Sequence, residues 1–242
     1  MTGRVAHHFN DAEQQFHSAT LGMWVFLATE VMFFGGMFAA YTAYRYQYPE
    51  AFLAGSKDLH LVAGSFNTVV LLLSSFFVAL AVHAAYSGRR IATTGYLVGG
   101  IVMGLVFLGV KAYEYSEKFA HHHVPGPEFR WEPHSEEADA EHAVSVSHGD
   151  ESAGAREYHE GYSEYDSAFA NQVQLFYCLY FAMTGLHAIH MVIGVVLLGV
   201  LAVAAYRGAF SREYYTPVEV GGLYWHFVDI VWVFLFPLLY LI

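Results

Sequence analysis

Long uncharged stretches alternate with short charged ones along this chain. The first stretch, residues 21–44 (LGMWVFLATEVMFFGGMFAAYTAY), runs for 24 residues with a single formally charged side chain, Glu30, near its middle. At about 1.5 Å of rise per residue, a helix of that length crosses a hydrocarbon core of roughly 30 Å. A second stretch, 59–88, is closed by Arg89 and Arg90, and a third, 91–110, leads into KAYEYSEK. Residues 167–206 then carry no formal charge over 40 positions. Wholly helical, they would measure about 60 Å, twice the hydrocarbon thickness, but no proline or Asn-Gly pair supplies a turn, so one long helix from about Asn171 is predicted. The last stretch, 220–242, holds Asp229 and a late Pro237. The pattern predicts an all-α helix bundle, a single membrane domain over 1–242, with spans at about 20–44, 60–86, 91–115, 171–206 and 221–242.

Small and polar residues mark the faces on which these helices should meet. His60, Gly64, Asn67 and Ser74 fall on one side of the second span, and Gly95 with Gly99 and Gly100 with Gly104 form small-xxx-small pairs on the third. Such stripes let membrane helices approach closely and exchange hydrogen bonds, so a packing seam is preferred to a ligand site. Lys111 and Glu114 lie one turn apart among tyrosines suited to the headgroup boundary, which predicts an interfacial ion pair, with a proton-relay role for Glu114 as the second reading.

Composition agrees with the pattern: 56% of residues are hydrophobic and 14% charged. The net charge of −11 is concentrated, because 119–167 holds 12 of the 22 acidic residues against Arg130 and Arg156 alone. No basic stripe is available to neutralise phosphates, which argues against a nucleic-acid partner. Residues 119–167, rich in His, Glu, Gly and Ser with three prolines, are expected to form an exposed loop. Its seven histidines lack a fixed ligand spacing, so a dedicated metal site is not expected there. Cys178 is the only cysteine, excluding an internal disulfide or a thiolate cluster. The first 20 residues lack the basic start and short apolar core of a removable signal peptide. Arg4, Arg89, Arg90, Arg207 and Arg212 outnumber Arg45, Lys57 and Lys118 on the opposite side, predicting N-in, C-out topology and an extracytoplasmic acidic loop.

Two carboxyls, Glu30 and Asp229, and three histidines, His187, His190 and His226, are placed at membrane depth. Each is costly alone, at about 2.5–3.5 kcal/mol for a carboxylate at the bilayer centre even on lenient scales. They become tolerable in pairs, and the spacing predicts His226 with Asp229 on the last span and Glu30 with His187 or His190 across the bundle. Haem ligation by His187 and His190 would need a facing histidine pair at similar depth, and none is evident. A proton-coupled transporter using Glu30 and Asp229 would be expected to show repeats or interrupted helices, and these are also missing.

Five motifs carry a resemblance. GMWVFLATEVMFFGGMF, NTVVLLLSS from Asn67, LGVKAYEY from Leu108, GLHAIHMVIG from Gly185 and YWHFVDIVW from Tyr224 occur in the order seen in subunit III of cytochrome c oxidases, from about residue 20 to the end. The chain resembles the five-helix bacterial form of that family, without the two helices that precede the Glu30 span in the long form. The resemblance implies a non-catalytic subunit that carries no redox centre, binds haem–copper subunit I beside subunit II and small subunits, holds phospholipid and supports proton uptake. Haem and copper are then expected in the partner subunits. It also implies that Glu30 lies close to phospholipid with His187 and His190 on a neighbouring helix; Glu30, His187 and His190 are accordingly expected to form the buried polar cluster beside lipid, with Asn67, Glu114, His226 and Asp229 supporting the bundle. A multi-pass protein of the bacterial cytoplasmic membrane follows, with the equivalent subunit of a quinol oxidase or a nitric-oxide-reductase relative as the alternative. The glutamine often found in LGVKAYEY is Lys111 here. Loop 119–167 is unusually long, and a contact with a cytochrome partner or a respiratory supercomplex is the expectation attached to it.

Overall fold

The computed structural model describes residues 11–57, 59–120, 155–212 and 214–241. Most of the His-rich acidic stretch, and with it any metal or partner role, lies outside the described residues. The described residues form six helices: α1 (Ala12–Gln47), α2 (Pro49–Lys57), α3 (Leu61–Tyr86), α4 (Arg90–Ala120), α5 (Ala155–Tyr206) and α6 (Thr216–Tyr240). Five of them, all but α2, contain segments long and apolar enough to cross a membrane.

The helices outrun the spans expected from the hydrophobic pattern. Helix α1 starts at Ala12, where the Asp11 carboxylate accepts the Gln14 N–H at 2.6 Å, and α5 starts at Ala155, inside the stretch expected to be loop. A capping side chain satisfies amides that the first turn leaves unpaired, so a helix can begin in polar sequence well outside the hydrocarbon. Between α1 and α3 the chain makes the unforeseen α2, set off by Pro49, a residue that suits a first helical turn and deters the preceding residue from helix.

Helices α3, α4, α5 and α6 form a four-helix core, α1 lies across α5 and α6, and α2 packs on α5. The α3–α4 and α5–α6 connections are built alike. At Gly88 (φ +71°) and Gly208 (φ +74°) the chain turns left-handed, and each turn closes with two bonds: Arg89 N–H to the Ala84 carbonyl with Gly88 to Ala85, and Ala209 to Ala204 with Gly208 to Ala205. This C-terminal cap requires positive φ, which glycine adopts without strain. Both connections sit at the same end of the bundle, since Arg212 Nε donates to the Ser87 carbonyl at 3.3 Å and the Arg90 guanidinium lies over the Tyr206 ring.

The expected small-residue seam is used unevenly. A Cβ on Gly104 would stand 2.7 Å from the Trp225 ring, one on Gly100 2.9 Å from Val78 and one on Gly64 2.9 Å from Phe236, whereas Gly95 faces open space. Trp225 is fully buried and its indole N–H is held by Ser74 Oγ at 3.1 Å, so the ring has nowhere to go. Gly104→Val is therefore expected to lose about 1–3 kcal/mol through overpacking, and Gly95→Val almost nothing, in thermal unfolding of the purified protein.

Candidate functional site

The polar residues at membrane depth fall into three groups, and the first joins α1 to α5. Glu30 Oε2 lies 3.4 Å from His190 Nε2, with both side chains less than one-fifth exposed. On the other side of the ring, His190 Nδ1 donates to the Leu186 carbonyl at 2.9 Å. A carbonyl only accepts, so Nδ1 carries a hydrogen and Nε2 is the lone-pair nitrogen of the neutral ring. The Glu30 carboxyl therefore faces the ring nitrogen that is not engaged by Leu186, and the contact joins the two polar groups across the α1–α5 seam. Facing one another spares each group isolation in apolar surroundings. Phe34, almost fully buried, meets the His190 ring edge-on at 5.5 Å, and the Tyr224 hydroxyl donates to the His190 carbonyl at 3.1 Å.

Glu30→Ala leaves Nε2 facing an apolar gap, a loss of about 1–3 kcal/mol, while Glu30→Gln keeps a donor in reach and costs about 1 kcal/mol or less. Thermal unfolding of the two variants in parallel separates pairing from a need for ionisation. Equal losses would rule pairing out.

His187 does not join this pair. Three residues along α5 rotate a side chain by about 60° about the axis, enough to turn His187 from α1 toward α4 and α6. There it is buried between Phe107 and Trp232, with ring centroids 5.6 and 5.4 Å away, and neither ring nitrogen has a hydrogen-bond partner. The expected cluster of Glu30, His187 and His190 thus divides between two faces of one helix.

The second group is the most completely bonded. Lys111 Nζ lies 3.0 Å from Glu114 Oε2 and donates to the Tyr240 hydroxyl at 2.6 Å. Glu114 Oε1 accepts from the Tyr180 and Tyr240 hydroxyls at 2.6 Å each. Trp232 lies beneath the ammonium, with its ring 4.7 Å away. The expected pair exists, but it is enclosed by α4, α5 and α6 instead of lying at the headgroup boundary: Lys111 is 5% and Glu114 2% exposed. The two tyrosines were not singled out from the sequence. Their signal was a hydroxyl in an apolar span, which needs a partner once buried.

The third group lies between α3 and α6. The expected local pair of His226 with Asp229 does not form. The His226 ring instead meets Ser75 Oγ at 2.6 Å, because His226 faces across the seam to α3 rather than along its own helix. Asp229 is buried with Ser75 as its polar neighbour, and both amide atoms of Asn67 lack a hydrogen-bond partner. Further along α3, Ser74 Oγ donates to the Gly100 carbonyl at 3.0 Å while receiving the Trp225 indole. At the far end His60 Nε2 stands 3.1 Å from Glu117 Oε2 of α4. Among the described residues no three His, Cys, Asp or Glu side chains gather in a way that would hold a metal ion.

Residues 156–242, the stretch containing Tyr180, His187, His190, His226 and Asp229, match the family model for Cytochrome c oxidase subunit III. The chain is 29% identical over 223 residues to Cytochrome c oxidase subunit 3 of Thermostichus vulcanus, covering 92% of this chain and 86% of that one. It is 26% identical to the subunit 3 of Synechocystis sp. (strain ATCC 27184 / PCC 6803 / Kazusa), covering 91% and 74%. A third relative, the Heme-copper oxidase subunit I+III of Aeropyrum pernix, is 25% identical over 226 residues, covering 91% of this chain and 22% of that longer polypeptide. With five membrane-capable helices and likeness along nine-tenths of its length, this chain is similar to cytochrome c oxidase subunit III.

Proposed function

We propose that the chain is the non-catalytic third subunit of a terminal haem–copper oxidase, bound to the side of subunit I in a bacterial cytoplasmic membrane. The observation that carries this reading is the Aeropyrum relative. Its name joins subunits I and III, and the counterpart of this chain is about one-fifth of that polypeptide. Fusion keeps two segments in permanent proximity, which is of use where they work in one complex.

The chain's own chemistry is consistent with a supporting role. Its buried ionisable groups are engaged with each other or enclosed by helices, and Glu30 with His190 binds α1 to the core instead of presenting a reactive group. The outward face of α1 is apolar, with Trp24, Val31 and Met32 more than half exposed, and suits acyl chains or a neighbouring subunit's helices. In this reading phospholipid lies against α1 beside the Glu30–His190 pair, and the complex supports proton uptake by subunit I. Cytochrome c is the donor assigned, subunit II supplies copper, and the arginine-bearing end of the bundle faces the cytoplasm.

Gentle purification of the tagged chain, followed by identification of co-eluting subunits and an optical spectrum, tests the proposal. Stoichiometric recovery of a haem-bearing subunit I and a copper-bearing subunit II is expected. A quinol oxidase would show a subunit II without copper, and a chain that elutes alone and colourless would overturn the assignment.

A further inference from the structure

We propose that a file of bound water runs inside the bundle along the α3–α6 seam, from Asp229 past Asn67 and His187 to the edge of the Lys111–Glu114 pair. This goes beyond the oxidase reading and does not depend on it.

Buried polar atoms without partners carry the inference. Both amide atoms of Asn67 and both ring nitrogens of His187 have no hydrogen-bond partner among the described residues, and Asp229, beside Ser75, has at least one carboxyl oxygen without a partner. All three side chains are at least nine-tenths buried, at 0%, 1% and 3% exposure. Leaving such atoms dry, at about 1–3 kcal/mol each, would cost an amount comparable with the net stability of a whole domain.

Helix register places the three residues along one column. Ser74 of α3 touches both Gly100 of α4 and Trp225 of α6. Neighbouring helices here run antiparallel, and seven residues make two turns, so Asn67, Phe107 and Trp232 occupy the next level along. At that level His187 meets the rings of Phe107 and Trp232, which brings it to the same place as Asn67 from the opposite side. The Trp232 indole N–H donates to Thr68 at 3.1 Å, confirming the level on α3. Asp229 precedes Trp232 by one turn, toward Ser75 and His226, and Lys111 lies over the other side of the Trp232 ring.

The donor and acceptor inventory selects the occupant. An amide offers both donors and an acceptor, a neutral imidazole one of each and a carboxyl group one or both. Water, with two of each, serves this mixed set, and buried water in proteins typically makes about three such bonds. A cation would find one carboxyl and, beyond the Trp232 ring, the Lys111 ammonium. An anion would find that ammonium already taken by Glu114.

A map of the full chain in the assembly in which it purifies, recorded in lipid nanodiscs at a resolution that orders water, tests this. Solvent density within hydrogen-bond distance of the Asn67 amide, the His187 ring and the Asp229 carboxyl is expected. In Asn67→Leu the density beside residue 67 should be lost while that beside Asp229 remains. Side chains that bond directly to one another, or no ordered density beside any of the three, would overturn the proposal. Should the chain purify without a haem–copper partner, the oxidase assignment fails and the same map still decides the water file.

Discussion

Lys111→Met is expected to destabilise the bundle by about 3–5 kcal/mol, because it strips the counter-ion from a carboxylate that is almost wholly buried. Glu114→Gln should cost a similar amount by stranding the ammonium. The double variant is the informative one. With Lys111→Met and Glu114→Gln combined, no charge remains, and the amide oxygen can still accept from the Tyr180 and Tyr240 hydroxyls that now converge on Glu114 Oε1. Most of the loss should then be recovered, and a double-mutant cycle on the unfolding midpoints of the purified protein measures the coupling. Additive losses would mean that the two side chains do not act as a pair.

Trp232→Ala is the second large loss. This ring is fully buried, packs on Phe107 at 4.8 Å and on His187, lies under Lys111 and bonds Thr68. Lipid is as apolar as a protein core, so transfer out of water contributes little to helix association in the membrane and the cost falls mainly on lost packing. At about 24 cal/mol per Å3, a void of roughly 100–150 Å3 costs about 2.5–3.5 kcal/mol. Trp232→Phe, which keeps most of the volume and loses the Thr68 bond, should cost about 1 kcal/mol. The two variants compared by thermal unfolding separate packing from hydrogen bonding.

The spans were legible because a charge-free run of more than 20 residues has few other uses. Arg89 with Arg90 and Arg207 with Arg212 bracket the two connections for the same reason. Helix ends were less legible: charge ends a membrane span without ending a helix, so α1, α4 and α5 continue into polar sequence. Helix α2 is too short for a periodicity to declare itself. Single pairings were legible only in part. Glu30 with His190 was one of two options, and the structure selects it through a 60° difference in facing that spacing alone leaves open. Burial of Lys111 and Glu114 depends on Tyr180 and Tyr240, which stand 66 and 126 residues from Glu114 along the chain. Only the packed bundle brings them together. His226 found Ser75, 151 residues away, instead of the acid one turn along its own helix.

The supporting role proposed for this chain requires that it hold no redox centre of its own. The direct test is to dissociate the purified assembly and measure iron, copper and haem in each separated polypeptide. Iron and copper are expected to remain with the partners, with this chain recovered metal-free and its fold intact. Haem or copper recovered in stoichiometric amount with this chain, and lost on His187→Ala or His190→Ala, would contradict it.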